Sequence, residues 1–152
     1  MEFVPGYGLQ RGTVRDQILL TQFMYETYAE RSQTARLSHL SWTVENYLSD
    51  QTPLWWVTGQ ADEVPVGCLW LGNAIDQGTG DRHTYIFLVY VKPGHRRRGI
   101  GRALLQKAEH WARDRGDRRL GLQVFCDNLP AVQLYQSLGF QTQALLMTKS
   151  WN

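Results

Sequence analysis

The chain has 152 residues, 43% hydrophobic and 20% charged, a balance typical of a soluble globular protein and sufficient for one domain with its own core. No apolar run approaches the roughly 18 residues that cross a bilayer, and the N-terminus lacks a signal-peptide pattern, so we expect one cytoplasmic domain over residues 1–152. Cys68 and Cys126 fit no CxxC or Cys/His spacing. No metal site and two reduced, partly buried thiols are therefore predicted.

The net charge of +2 is spread unevenly along the chain. Residues 92–119 hold ten basic and three acidic residues, a local charge of +7, whereas the remainder carries −5. A local positive field of this kind attracts anions, although it does not say which anion.

The first half of the chain predicts strands and two helices in alternation. Thr13 and Asp16 fit a capping box, and helical spacing of apolar residues continues to about Ala29. The predicted elements are a strand over Tyr7–Arg11, a helix ending near Ala29, a helix over 41–48, and strands over 53–59 and 64–75 joined by a turn at 60–63.

The second half reads strand, helix, strand, helix, strand, which indicates an α+β fold of three layers around a mixed sheet. A continuous apolar run over residues 83–91 predicts a strand buried on both faces. A helix then begins near Ile100 and stops at Gly116, and a last helix, capped at Asp127 or Asn128, stops at Gly139. Further strands are predicted over 118–125 and, once or twice, over 139–151.

The stretch VKPGHRRRGIGRALL, residues 91–105, admits two interpretations: a basic arm for nucleic acid, or a loop that holds one small phosphorylated ligand. A glycine loop between a buried strand and a helix favours the second, because the first helical turn leaves N–H groups unpaired and carries a partial positive charge. Gly99 and Gly101 would let the ligand approach the backbone. A third glycine is missing for a dinucleotide motif, and GxxxxGK[ST] is absent.

These residues resemble the acetyl-CoA-binding motif of the GNAT N-acetyltransferase superfamily, [Q/R]xxGx[G/A], through Arg96, Gly99 and Gly101. The stretch NLPAVQLYQSLGF is similar to the family's second signature, N-x-x-A-x-x-x-Y-x-x-x-G-F, beginning at Asn128 and including Tyr135. The resemblance implies a mixed, mainly antiparallel central sheet of about six to seven strands flanked by about four helices. It also implies acetyl-CoA as co-substrate, an amine-bearing acceptor, and neither nucleic acid nor membrane as partner; the oligomeric state, a homodimer included, stays open.

The resemblance assigns roles to individual residues. Backbone N–H groups of the glycine loop would bind the pyrophosphate of CoA, the end of the preceding strand would pair with pantetheine as an added strand, and Asn128 would bind pantetheine as well. The residues expected to bind acetyl-CoA are Val89, Tyr90, Val91, Arg96, Arg97, Arg98, Gly99, Ile100, Gly101, Arg102, Asn128 and Tyr135.

Tyr135 matches the family's general acid for the departing thiolate, although its spacing alone would also fit a core tyrosine on an apolar helix face. The base is less defined, because residues 83–91 contain no carboxylate and the alternative family position holds Gln123. His83 is the predicted base, with Asp81 as a further candidate and Tyr85 as a positioner of water. A water chain that ends in bulk solvent is the alternative.

The resemblance implies an acceptor site built by the first two helices, the loop between them and the late strands. Aromatic residues there would suit a cation or an apolar amine, or would simply form core. Three functions remain open: an acetyl-CoA-dependent N-acetyltransferase acting by direct attack in a ternary complex, a catalytically weak acyl-CoA-binding or regulatory module, and a nucleic-acid binder. The aromatic candidates are Tyr25, Tyr28, Trp42, Tyr47, Trp55 and Trp56.

Overall fold

The computed structural model describes residues 3–31, 35–61 and 64–151, whose contacts divide the chain into two compact units, Met1–Leu122 and Gln123–Asn152. Part of the predicted turn at 60–63 lies outside the described residues. Within the described ranges, no helix is long and apolar enough to cross a membrane.

The first unit is built on a mainly antiparallel sheet, and this confirms the predicted fold class. Each strand is hydrogen-bonded to the next in chain order; the first three pairings are antiparallel, and only the last is parallel. The strands are β1 (Tyr7–Arg11), β2 (Leu54–Gly59), β3 (Gly67–Ile75), β4 (Arg82–Val91) and β5 (Leu120–Gly121).

Three helices belong to this unit: α1 (Gln17–Ala29), α2 (Leu37–Tyr47) and α3 (Ile100–Asp114). The predicted capping box forms, with Thr13 accepting from the Arg15 N–H and Asp16 accepting from the Thr13 N–H, but it opens a short 3-10 turn just before α1. Helix α2 begins earlier than expected, at Leu37. Gly116, at φ +89°, follows the end of α3 as predicted.

The two faces of the sheet are covered by different helices. Neighbouring tryptophans of β2 show this: Trp56 packs edge-on against Phe23 of α1, whereas Lys107 of α3 lies over the Trp55 ring. Successive side chains of a strand point to opposite faces. Both tryptophans are buried, so they belong to the core, which is one of the two alternatives that the sequence left open for them.

Strand β4 is not buried on both faces along its length, contrary to the prediction. From Thr84 onward its even-numbered side chains are buried, but its odd-numbered ones are only half-buried. Trp70 lies opposite Leu88 and Leu71 opposite Ile86, so Phe87 is the extra residue of a β-bulge. The composition of the strand, apolar almost throughout, concealed both the alternation and the bulge.

The second unit contains α4 (Leu129–Ser137), preceded by Asn128 and followed by Gly139 at φ +95°, as the sequence predicted. Residues 140–151 form no strand, and only Leu120–Gly121 of the predicted strand over 118–125 is paired. The described residues therefore form five strands rather than six to seven. A β-prone segment becomes a strand only where a partner ladder exists, and sequence pattern does not report the partner.

Candidate active site

The glycine loop presents unused backbone donors at the start of α3. Arg97 and Gly99 both have left-handed φ, +65° and +84°, with a single residue between them. Within the described part of the chain, the N–H groups of residues 97–101 donate to no protein acceptor. Successive N–H groups around left-handed residues at a helix N-terminus form a concave anion-binding surface. The loop can therefore bind a phosphate through its backbone.

Gly99 is required for its conformation rather than for space. A Cβ added there would meet no protein atom within 4 Å, so no neighbouring protein group requires the absence of a side chain. A side chain at φ +84° would instead strain the backbone.

Arg96 contacts the protein rather than projecting freely. Its Nε donates to the Val91 carbonyl at 2.8 Å, and one Nη lies 2.8 Å from both carboxylate oxygens of Glu30. The guanidinium also lies 5.5 Å from the ring centroid of Tyr90, whose hydroxyl donates to Glu30. Arg96 thus joins the end of α1 to the end of β4 and positions the loop. Sequence reasoning missed Glu30, since no local motif links residues 66 positions apart.

A second contact fixes the other side of the loop. Arg98 donates to the Tyr7 hydroxyl at 2.6 Å, and that hydroxyl lies 2.7 Å from Nδ1 of His95. Tyr7 belongs to β1, the edge strand farthest from β4, so the loop contacts both the end of β4 and the opposite edge of the sheet. Arg97 is exposed and makes no side-chain contact with the described residues.

The edge of β4 is open beside this loop. Among the described residues, β5 pairs with β4 only at Thr84 and Tyr85, so from Ile86 to Val91 the strand has a partner, β3, on one side alone. Val89, Tyr90 and Val91, expected to bind pantetheine, lie on this open edge. An extended ligand arm can pair with such an edge as an added strand.

A buried ionic cluster holds the other end of β4. Asp117 accepts from the Thr84 hydroxyl at 2.6 Å and forms ion pairs with Arg115 and Arg82. Burial opposes ionisation of Asp117, but the hydrogen bonds from Arg115 and Thr84 outweigh it, and the pKa of this carboxyl lies below its usual value. The cluster fixes the start of β4 immediately beside His83.

His83 is half-buried, and its Nδ1 atom is buried without a hydrogen-bond partner among the described residues. A Cβ placed on Gly121 would lie 3.1 Å from Nε2, so the imidazole packs against β5 where the paired stretch of β4 begins. Asp81 is exposed and forms no hydrogen bond or ion pair with His83 in the described ranges. A buried imidazole nitrogen without a partner is uncommon in native structures and calls for a role.

Tyr135 and Asn128 lie in the second unit. Burial raises the pKa of Tyr135 above its ordinary value, and its ring centroid lies 5.8 Å from that of Phe140. Asn128 precedes α4, and its side chain makes no capping hydrogen bond, although its carbonyl accepts from the Val132 N–H. Because its pKa is raised, the Tyr135 phenol is protonated at neutral pH.

The chain belongs to the acetyltransferase (GNAT) family, whose model matches residues 21–140. Human N-acetyltransferase 8 is 32% identical over 97 residues, which are 64% of this chain and 42% of that protein. The chain spans between 28% and 42% of the length of the first curated relatives it matches.

Two solved structures share the fold. A GCN5-related N-acetyltransferase from Ralstonia eutropha has a TM-score of 0.76 at 21% identity and covers 95% of this chain and 99% of its own. A predicted acetyltransferase from Clostridium acetobutylicum, solved with acetyl-CoA, has a TM-score of 0.76 at 16% identity and covers 95% of this chain and 96% of its own. These likenesses establish the fold alone.

Proposed function

We propose that the protein is an acetyl-CoA-dependent N-acetyltransferase that moves an acetyl group to the primary amine of a small molecule or peptide. The observation that carries the proposal is the set of unused N–H groups at residues 97–101, immediately beside the open edge of β4. Membership of the GNAT family supports the acyl-CoA chemistry. The free thiols of Cys68 and Cys126 support a cytoplasmic setting.

Each part of the proposed CoA site uses a different property of the chain. The backbone of residues 97–101 supplies donors for the pyrophosphate, and the exposed Arg97 guanidinium adds charge. Arg96 and Arg98 hold the loop in place through Glu30 and Tyr7. The open edge of β4 offers N–H and carbonyl groups to the pantetheine arm, and a free N–H near the bulge would stabilise negative charge on the thioester oxygen.

The amine must lose a proton before or during its attack on the thioester. An alkyl amine with a pKa near 10.4 is neutral in only about one molecule in 10³ at pH 7. His83 is the proposed base, acting through water, because its Nδ1 is buried, lacks a hydrogen-bond partner among the described residues and could accept from an ordered water. Tyr135 is the proposed general acid because it matches the family's position for that role. A phenol of ordinary pKa protonates a thiolate at a cost of roughly 2 kcal/mol in water, and the raised pKa of Tyr135 increases that cost.

A second candidate, a catalytically weak acyl-CoA-binding or regulatory module, is favoured by one observation. Residues 83–91 of β4 contain no carboxylate, and the exposed Gln123 cannot act as a base. Binding of acetyl-CoA without transfer to any amine would select this candidate.

The test is release of free thiol from acetyl-CoA in the presence of an amine panel, with mass analysis of the acetylated product. Tyr135→Phe should lower kcat by about 10²-fold, within the range of general acid catalysis, while the Kd of acetyl-CoA stays nearly constant. An equal loss of CoA affinity would make Tyr135 a packing or ligand-contact residue. Failure to bind acetyl-CoA would refute both candidate functions.

A further inference from the structure

A row of aromatic rings, called here the aromatic strip, crosses from α1 and α2 onto β4. Consecutive centroids lie 6.0 Å apart for His39 and Trp42, 6.3 Å for Trp42 and Tyr47, 5.4 Å for Tyr47 and Phe87, and 5.4 Å for Phe87 and Tyr85. Tyr28 lies close enough to Tyr85 to raise its pKa, second to the effect of burial. The strip therefore consists of Tyr28, His39, Trp42, Tyr47, Tyr85 and Phe87.

The bulge and one glycine place the strip where it is. Thr84 bonds Asp117, just beyond α3, whereas Tyr90 bonds Glu30, just beyond α1, so even-numbered side chains change face across the bulge at Phe87. The Phe87 ring consequently turns towards α2 and lies against Trp70. A Cβ on Gly72 of β3 would clash with that ring, so the strip depends on glycine at this position.

The strip is exposed rather than part of the core. Trp42 is 52% exposed, Tyr47 50% and Tyr28 41%, while Phe87 and Tyr85 are half-buried below them. A connected apolar surface of this kind on a soluble protein usually marks a binding site.

No salt bridge is formed by a side chain of the strip among the described residues. Across the described ranges, lysine and arginine side chains lie over other rings, those of Phe23, Trp55, Tyr90 and Trp111, but over none of the strip. No carboxylate of the described residues makes a hydrogen bond or an ion pair with a side chain of the strip. A polycationic acceptor would need such carboxylates, and a strongly anionic one would need cations.

We propose that the strip binds the non-reacting part of the acceptor, and that the acceptor is a primary amine carrying one aromatic or aliphatic group. The inference rests on the proposed function: a pantetheine arm that enters at the loop and follows the open edge from Val91 to Ile86 ends at the bulge, beside Phe87. An apolar group packed on the strip would direct its amine to that point. Aromatic rings supply such contacts without demanding a charge.

The test compares kcat/KM for 2-phenylethylamine, n-hexylamine, ethanolamine and spermidine with acetyl-CoA at saturation. The two apolar amines should exceed ethanolamine and spermidine by at least about tenfold. Trp42→Ala and Tyr47→Ala should each raise KM for 2-phenylethylamine about 5- to 10-fold, with kcat and the Kd of acetyl-CoA little changed. Trp42→Phe, which keeps a ring, should retain most of the affinity.

Ile18→Ala is the control, because Ile18 is an apolar residue, 77% exposed, outside the strip; it should leave KM unchanged. Preference for ethanolamine or spermidine would overturn the inference while leaving acetyl transfer intact. So would loss of a dimer in Trp42→Ala by sedimentation, since the strip would then be a contact between copies. If acetyl-CoA did not bind, the proposed function would fail separately, and calorimetry with 2-phenylethylamine alone would still decide whether the strip binds it.

Discussion

Replacement of Gly99 by alanine isolates the conformational demand of the loop. Gly99 has φ +84° and ψ +6°, and an added Cβ would meet no atom within 4 Å, so the whole cost is that of a left-handed L-residue, about 1–2 kcal/mol. If the loop keeps its shape, this free energy is lost from folding. If the loop without ligand relaxes to another conformation, the same free energy is lost from ligand binding instead, and the affinity for acetyl-CoA falls about 5- to 30-fold.

Two measurements on the Gly99→Ala variant therefore have to be combined: the free energy of unfolding by denaturant and the Kd of acetyl-CoA by calorimetry. Their losses should sum to about 1–2 kcal/mol. Gly94→Ala is the matched control, because Gly94 lies in the same loop, has no left-handed φ and also has open space around its Cβ position. Equal behaviour of the two variants, or no loss in either quantity for Gly99→Ala, would refute the role assigned to the backbone of this loop.

Two further variants test the contacts that hold β4 and the loop. Glu30→Gln should cost only about 0.5–1 kcal/mol of stability, because the ion pair with Arg96 is partly exposed, but it should weaken acetyl-CoA binding. It should also lower the pKa of Tyr90 from about 12, a value to which burial and then Glu30 raise it. An unchanged titration of the Tyr90 phenol would contradict the contact. Asp117→Asn should cost about 2–3 kcal/mol, since Arg115 loses its buried partner. Because the pKa of Asp117 is lowered in the folded state, the wild-type chain should lose this stability as pH falls below about 4, and denaturation of the variant across the same pH range should show a smaller loss.

The loop and the elements around it were predictable because their signals are local. Glycines at 99, 116 and 139 all have the left-handed φ that helix boundaries use, and the capping residues at Thr13 and Asp16 bond as their spacing indicates. Such features depend on a few neighbouring residues and survive in any tertiary context.

The remaining features depend on residues far apart in the chain. The sequence does not distinguish Trp55 and Trp56, which are buried, from Trp42, which is exposed. The burial of Trp55 and Trp56 follows from the pairing of β2 with β1 and β3. The bulge at Phe87 is visible only when β3 and β4 are paired. The contact between Glu30 and Arg96 has no local signature, so the sequence did not show that Arg96 also holds the loop.

The measurement that tests the account most directly is a calorimetric comparison of acetyl-CoA with S-acetyl-pantetheine, which keeps the thioester and the arm but lacks the pyrophosphate and the adenosine 3′-phosphate. S-acetyl-4′-phosphopantetheine, which regains one phosphate without the adenosine, separates the two contributions and should recover part of the affinity. If the N–H groups of residues 97–101 bind the pyrophosphate, acetyl-pantetheine should bind at least about 100-fold more weakly, because several charge-assisted hydrogen bonds are lost. Equal affinity for the two ligands, or no binding of acetyl-CoA, would contradict the account.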